Sequence, residues 1–143
     1  MDVDEMPAGQ AIDKLIAEKV LGLDVAETSG EIDTRYESKE FRPFIAPASS
    51  VGGYVRFNKR KDVIGDWARW SPSLGIGAAF EVLEVLRKKW GRVVLAWESD
   101  DGIHGAGWKV DINPGYSGRL EVKASPTPEL AICRAALAAV EEA

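Results

Sequence analysis

The stretch WARWSPSLGIGAAFEVLEVLRKKW, Trp67 to Trp90, constrains this chain more than any other. Apolar residues recur at Ile76, Ala79, Phe80, Leu83 and Leu86, with Val82 and Val85 beside them. This three-and-four spacing predicts an amphipathic helix with a wide buried face. Glu81, Glu84, Arg87, Lys88 and Lys89 take the remaining arc. First-turn N–H groups have no carbonyl partner inside a helix, so a serine oxygen is expected to cap the start, from Ser71 with Pro72 in the first turn or from Ser73 with Pro72 in the entry segment. Gly91 ends the helix, and the basic run before it suits the partly negative C-terminus. This helix is the expected hub of the fold.

The other elements follow from the same periodicities. Residues Met1 to Met6 are acidic and expected to fray. PAGQAIDKLIAEKVLG carries a stripe of Ile12, Leu15, Ile16 and Val20 and a stop at Gly22, a first helix with Asp13, Lys14, Glu18 and Lys19 turned mostly outward. Residues 24–50 read as a long loop or arm, broken by Pro43 and Pro47. A structureless connection of that length is uncommon, so it is a functional loop, an oligomer arm or the site of a short strand. VGGYVRFN alternates like a strand, with Arg56 and Asn58 on one face. Arg92 to Glu98, Trp108 to Asn113 and Arg119 to Ala124 form an expected antiparallel meander, because short turns join antiparallel neighbours. A last helix starts near Thr127, with Pro128 in its first turn and a stripe of Leu130, Cys133, Leu137 and Val140. Helix, strand, helix, three strands and helix imply one domain over 1–143. Its class is α/β of the α+β type, a three-layer α/β/α sandwich with a mainly antiparallel sheet flanked by helices.

Composition limits the function classes. At 143 residues with 45% hydrophobic content the chain can bury a real core. Its formal net charge of −5 opposes nonspecific DNA binding, which needs a strong positive field. One cysteine, Cys133, cannot close an internal disulfide, no apolar run is long enough to span a membrane, and MDVDEM lacks a basic leader. A cytoplasmic setting is expected.

Catalytic chemistry finds little support in the residues. His104 is the single histidine and sits in a turn, GIHGAG, with no nucleophile elbow to accompany it. Cys133 lies on an apolar helix stripe, where packing is the plain reading. No paired-ligand spacing suggests a metal, and Asp100, Asp101 and Asp111 read as solvated turn acids, with a carboxylate-only magnesium site as the alternative. No enzyme, metal or cofactor is expected. Anion binding is better supported. Exposed N–H groups at a helix start attract anions, and Ser71 and Ser73 add hydroxyls there. Trp67, Arg69 and Trp70 stand immediately upstream, where rings can stack on a base and an arginine can fork onto a phosphate. Arg56, Asn58, Lys59, Arg60 and Lys61 make the one dense basic patch, with Asn113 and Arg119 at facing strand ends. The candidate ligand-binding residues are therefore Arg56, Asn58, Arg60, Trp67, Arg69, Trp70, Ser71, Ser73, Asn113 and Arg119.

Three blocks, IDKLIAEKVLG, SPSLGIGAAFEVLEVL and TPELAICRAALAAV, resemble in order and spacing the bacteriophage ABA sandwich domain family. The resemblance covers the helices and departs at the entry to the middle one. Where the family reads Tyr-Ser-Thr-Asp, this chain has Pro72, Ser73, Leu74 and Gly75, and Phe80 replaces a tryptophan. The resemblance implies a phage source and an α/β/α sandwich. A second resemblance, at fold level, is to phage anti-defence proteins that sequester cyclic nucleotide-type immune signals and assemble from several copies. It implies a non-enzymatic homo-oligomer that sequesters a small anionic nucleotide ligand, such as a cyclic oligonucleotide or a cyclic ADP-ribose isomer. The alternative is a protein–protein interaction or structural module that docks a host protein. A small hydrolase would need His104 to act.

Overall fold

The computed structural model describes residues 5–25, 44–48, 53–57, 67–99, 102, 105–112 and 124–142. Helix α1 (Gln10–Leu15) runs directly into a π-helical segment (Ile16–Leu21). Gly22 ends it in the left-handed region, φ 66°, and Leu23 N–H returns to the Ala17 carbonyl at 2.8 Å. This closure, from a residue six positions on, satisfies a terminal carbonyl and needs a residue tolerant of positive φ at Gly22. Strands β1 (Asp24–Val25), β2 (Phe44–Ala48), β3 (Gly53–Phe57) and β4 (Trp67–Trp70) then form one sheet in that order. The β1–β2 pair is parallel and the other two pairs are antiparallel.

Two of these strands replace other expectations. Phe44–Ala48 lies in the stretch read as loop and carries Pro47. β1 pairs only Phe44 and Ile45, so at Pro47 no described strand on that side asks for the missing N–H. WARW, read as the lead-in to a helix, is β4, with Trp70 opposite Tyr54 and Arg69 opposite Val55. Aromatic residues on a half-buried pleated surface are good strand formers, and their closeness to a helix start disguised them.

Helix α2 (Ile76–Trp90) ends at Gly91 as its sequence predicts. Its buried side is rotated from the expected one. Ala79, Val82 and Leu86 face the core, whereas Ile76 and Phe80 are 43% and 52% exposed. The two arcs overlap on the helical wheel, and periodicity alone does not choose between them.

Strands β5 (Val93–Glu98) and β6 (Gly107–Ile112) form a separate antiparallel pair. The expected third meander strand, Arg119 to Ala124, lies outside the described residues except for Ala124, which is not in a strand. Just beyond it, Ser125 and Trp108 form an isolated antiparallel bridge and exchange two backbone hydrogen bonds at 2.9 Å. Gly107 faces that crossing, and a Cβ there would sit 2.7 Å from the Ser125 carbonyl oxygen, so only glycine lets the backbones approach.

Helix α3 (Pro128–Glu142) starts where expected, with Thr127 Oγ1 accepting from Leu130 N–H at 3.2 Å. It is buried on nearly every side, from Leu130 through Leu137 and at Ala139. It packs against α1, the π-helical segment, α2 and β6, so α3 is the hub in place of α2. Small residues Ala131, Ala135, Ala136 and Ala139 let several elements approach it at once. Its one buried cation, Arg134, donates through Nε and Nη2 to the Met6 carbonyl at 3.0 and 2.9 Å and through Nη1 to Ser125 Oγ at 3.2 Å. Met6, expected in a frayed end, is thereby held in the core at 3% exposure. Among the described residues the result is an α+β fold of three helices and two small, mainly antiparallel sheets.

Candidate functional site

The segment between β4 and α2 is built around a carboxylate from elsewhere in the chain. Asp13 of α1 is buried, not turned outward, and accepts from Ser71 Oγ at 2.6 Å and from Ser73 N–H at 2.9 Å. Ser73 Oγ in turn accepts from Gly9 N–H at 3.0 Å. Burial pushes the Asp13 carboxyl above its usual range, against the opposing pull of those serine hydrogen bonds. Tyr54, opposite Trp70 in the sheet, has its hydroxyl raised by burial and then by the negative charges of Asp13 and Glu18. Asp13 was legible in one respect: it is three residues before Ile16 and four before Ala17, on the arc that is buried.

These bonds change what the two serines can do. Neither caps α2. Its N-cap is Gly75, with no side-chain hydrogen bond, and Ala79 N–H to the Gly75 carbonyl at 3.0 Å is the first bond of the helix. Leu74 and Gly75 N–H both turn back to the Ser71 carbonyl, at 3.2 and 2.7 Å. The N–H groups of Ile76, Gly77 and Ala78 therefore have no partner among the described residues.

That open helix start forms one wall of a surface cleft of about 450 Å³, lined by Arg69, Ser71, Leu74, Gly75, Gly77 and Ala78. Arg69 is exposed, alternates away from buried Trp70 along β4, and has no ion-pair partner among the described residues. Gly77 adds no side chain over the first turn, and nothing stands within 4 Å of where its Cβ would be. A guanidinium, free backbone donors and the positive end of a helix dipole thus share one opening, a setting suited to an anion.

The expected ligand-binding residues divide accordingly. Arg69 and Ser71 meet at the cleft. Ser71 directs its proton to Asp13, so toward the cleft it offers an acceptor and not the expected donor. Ser73 is 1% exposed and Trp70 is 4% exposed; both are spent in the core, and Trp70 offers no ring face for stacking. Arg56 is ion-paired with Glu81 of α2 and does not line this cleft. Trp67 lies in β4 opposite Phe57. Asn58, Arg60, Asn113 and Arg119 lie outside the described residues, as do His104, Asp100 and Asp101. Cys133 is buried, and burial pushes its thiol far up. Among the described residues no cluster of His, Cys, Asp and Glu could hold a metal, and no helix is long and apolar enough to cross a membrane.

No curated protein and no solved structure matches the chain. The family model of the Phage ABA sandwich domain matches residues 14–137, a span running from α1 to α3 and including the cleft. The chain therefore belongs to the Phage ABA sandwich domain family.

Proposed function

We propose that this phage-family protein is a non-enzymatic binder that sequesters a small anionic nucleotide-type immune signal, with the phosphate seated at the start of α2. The observation that carries this reading is the sharing of one cleft by Arg69 and the uncapped first turn of α2. Its volume of about 450 Å³ falls within the range of small-ligand pockets, roughly 300–1,000 Å³. Arg69 and the free N–H groups bind the anion, and the Ser71 oxygen accepts from a neighbouring hydroxyl or amine of the ligand. The apolar wall at Leu74 and Ala78 takes its less polar part. Calorimetry against cyclic dinucleotides, cyclic trinucleotides and cyclic ADP-ribose isomers tests the reading. Saturable heat from one of them, with unaltered ligand recovered after denaturation, is the expected result. No heat from any sinks sequestration, and recovery of a cleaved product makes the protein a hydrolase.

A second reading, docking to a host protein, draws on the exposure of Leu74, Ile76 and Phe80 around the same helix start. A stoichiometric protein partner captured from host lysate, lost in Phe80→Asp and unaffected by small anions, favours it over sequestration.

A further inference from the structure

Among the described residues the β5–β6 pair has one covered edge and one open edge. Ser125 joins β6 through Trp108, so the chain returning toward α3 lies on the β6 side. Among the described residues no strand pairs with the outer edge of β5. That edge reads Val93, Val94, Leu95, Ala96, Trp97 and Glu98, six residues with no proline and no lysine. Exposed edges in folded proteins usually carry such residues to block pairing with another chain. Here the exposed positions are apolar instead: Val94 is 36% exposed and Trp97 is 58% exposed. The single charge within the strand, Glu98 at its end, meets Lys109 Nζ through Oε2 at 3.4 Å and keeps its side chain 44% exposed, open to a second cation.

We infer that β5 is an interface between two copies of this chain, pairing antiparallel with β5 of a second copy to make a four-stranded sheet. The sequence around the strand is self-complementary. A two-fold axis perpendicular to the sheet keeps faces together, so opposed residues must differ by an even number along the strand. Centring the axis on Leu95 sets Arg92 opposite the partner's Glu98, and Glu98 opposite the partner's Arg92. Arg92 is exposed and has no ion-pair partner among the described residues. Both ends of the paired strands then meet with opposite charge, while Val93 faces the partner's Trp97 and Val94 faces the partner's Ala96. Opposite charges and aromatic–branched pairs are favourable cross-strand neighbours. Centring the axis on Val94 sets Arg92 opposite the partner's Ala96 and loses both ion pairs, whereas centring it on Ala96 sets Val94 against the partner's Glu98 and carries Arg92 past the end of the partner's strand. Charge complementarity therefore selects the partner, a second copy, and the register.

Sedimentation equilibrium and disulfide trapping test this directly. Wild-type protein is expected to be dimeric in the micromolar range, and a monomer throughout that range overturns the inference. Trp97→Lys alters an exposed side chain and so leaves the monomer folded; it is expected to weaken dimerisation at least about tenfold. An unchanged dimer constant overturns the proposal. Arg92→Cys with Glu98→Cys in one chain fixes the register. Within a chain the two thiols are about 20 Å apart, too far to bridge. Across the dyad they are opposed at about 5 Å between Cα atoms, within bridging range. Oxidation should give covalent dimers from the double variant and none from either single variant. Dimers from the single variants, or no cross-link in a dimeric double variant, overturn it.

Discussion

Asp13 holds Ser73 across sixty residues of sequence, its Oδ1 accepting the Ser73 backbone N–H at 2.9 Å. Its other oxygen takes the Ser71 hydroxyl proton at 2.6 Å. One carboxylate therefore fixes the turn that leads from β4 into α2, and with it the wall of the cleft. The turn would otherwise be free to supply a serine cap to α2; tied to Asp13, it leaves the first-turn N–H groups open.

Removing Asp13 is expected to destabilise the fold. Asp13→Ala leaves the buried Ser73 N–H unpaired, at a cost of about 1–3 kcal/mol. Asp13→Asn keeps an acceptor for that N–H and can donate to Ser71 Oγ, so it should restore most of the loss. Urea denaturation measures both.

The same pair of proteins reports the charge state of Asp13. Burial raises its carboxyl from the ordinary 3.8, so between that value and the raised one the folded state binds more protons than the unfolded state. Asp13's contribution to stability is then full below the ordinary value and is lost as pH rises through the raised one. Wild-type protein should gain stability relative to Asp13→Asn as pH is lowered from neutrality into the carboxylate range. A constant difference across that window contradicts the assignment.

Gly77 separates stability from binding. It is exposed, helical and has open space at its absent Cβ. Gly77→Glu should stabilise the protein by roughly 1 kcal/mol, from helix propensity and from a negative charge at the helix start. The same carboxylate occupies the anion position, so ligand binding should be lost while the melting temperature rises.

Arg69 and Arg56 should part company in binding assays. Arg69→Ala removes the cleft guanidinium and is expected to weaken anion binding by roughly ten- to a hundredfold, with stability within about 0.5 kcal/mol of wild type. Arg56→Ala breaks the partly exposed pairing with Glu81, for about 1 kcal/mol or less, and leaves binding intact.

Cys133 should be inert in the native protein. It is fully buried on α3, and its thiol is held well above the ordinary range by burial, then by the charges of Asp13 and Glu129. Reaction with a thiol reagent at neutral pH is expected to follow global unfolding, appearing in urea with the loss of structure.

The helices were legible because their stop and start signals are local. Gly22, Gly91 and the Thr127–Pro128 pair act within one turn of themselves. The facing of α2 was not, since Ile76 and Phe80 fit a buried stripe as well as Val82 does, and the packing of α3 decides between them. Trp70 to Ser73 misled for a related reason. Serines before a helix are ordinary caps, and only a partner some sixty positions away, Asp13, assigns them elsewhere. Arg69 and Ser71 were read correctly as neighbours of the helix start because β4 delivers the chain directly into it. Arg56 drew the same expectation, but Glu81 lies within its reach from α2 and takes its charge.

The central claim, that the open start of α2 beside Arg69 binds an anion, is tested most directly by amide resonances during titration with inorganic phosphate and with adenosine monophosphate. The account predicts saturable downfield shifts of the Ile76, Gly77 and Ala78 N–H signals, abolished in Gly77→Glu and weakened in Arg69→Ala. Unmoved amides at these three positions, or shifts that persist in Gly77→Glu, would contradict it.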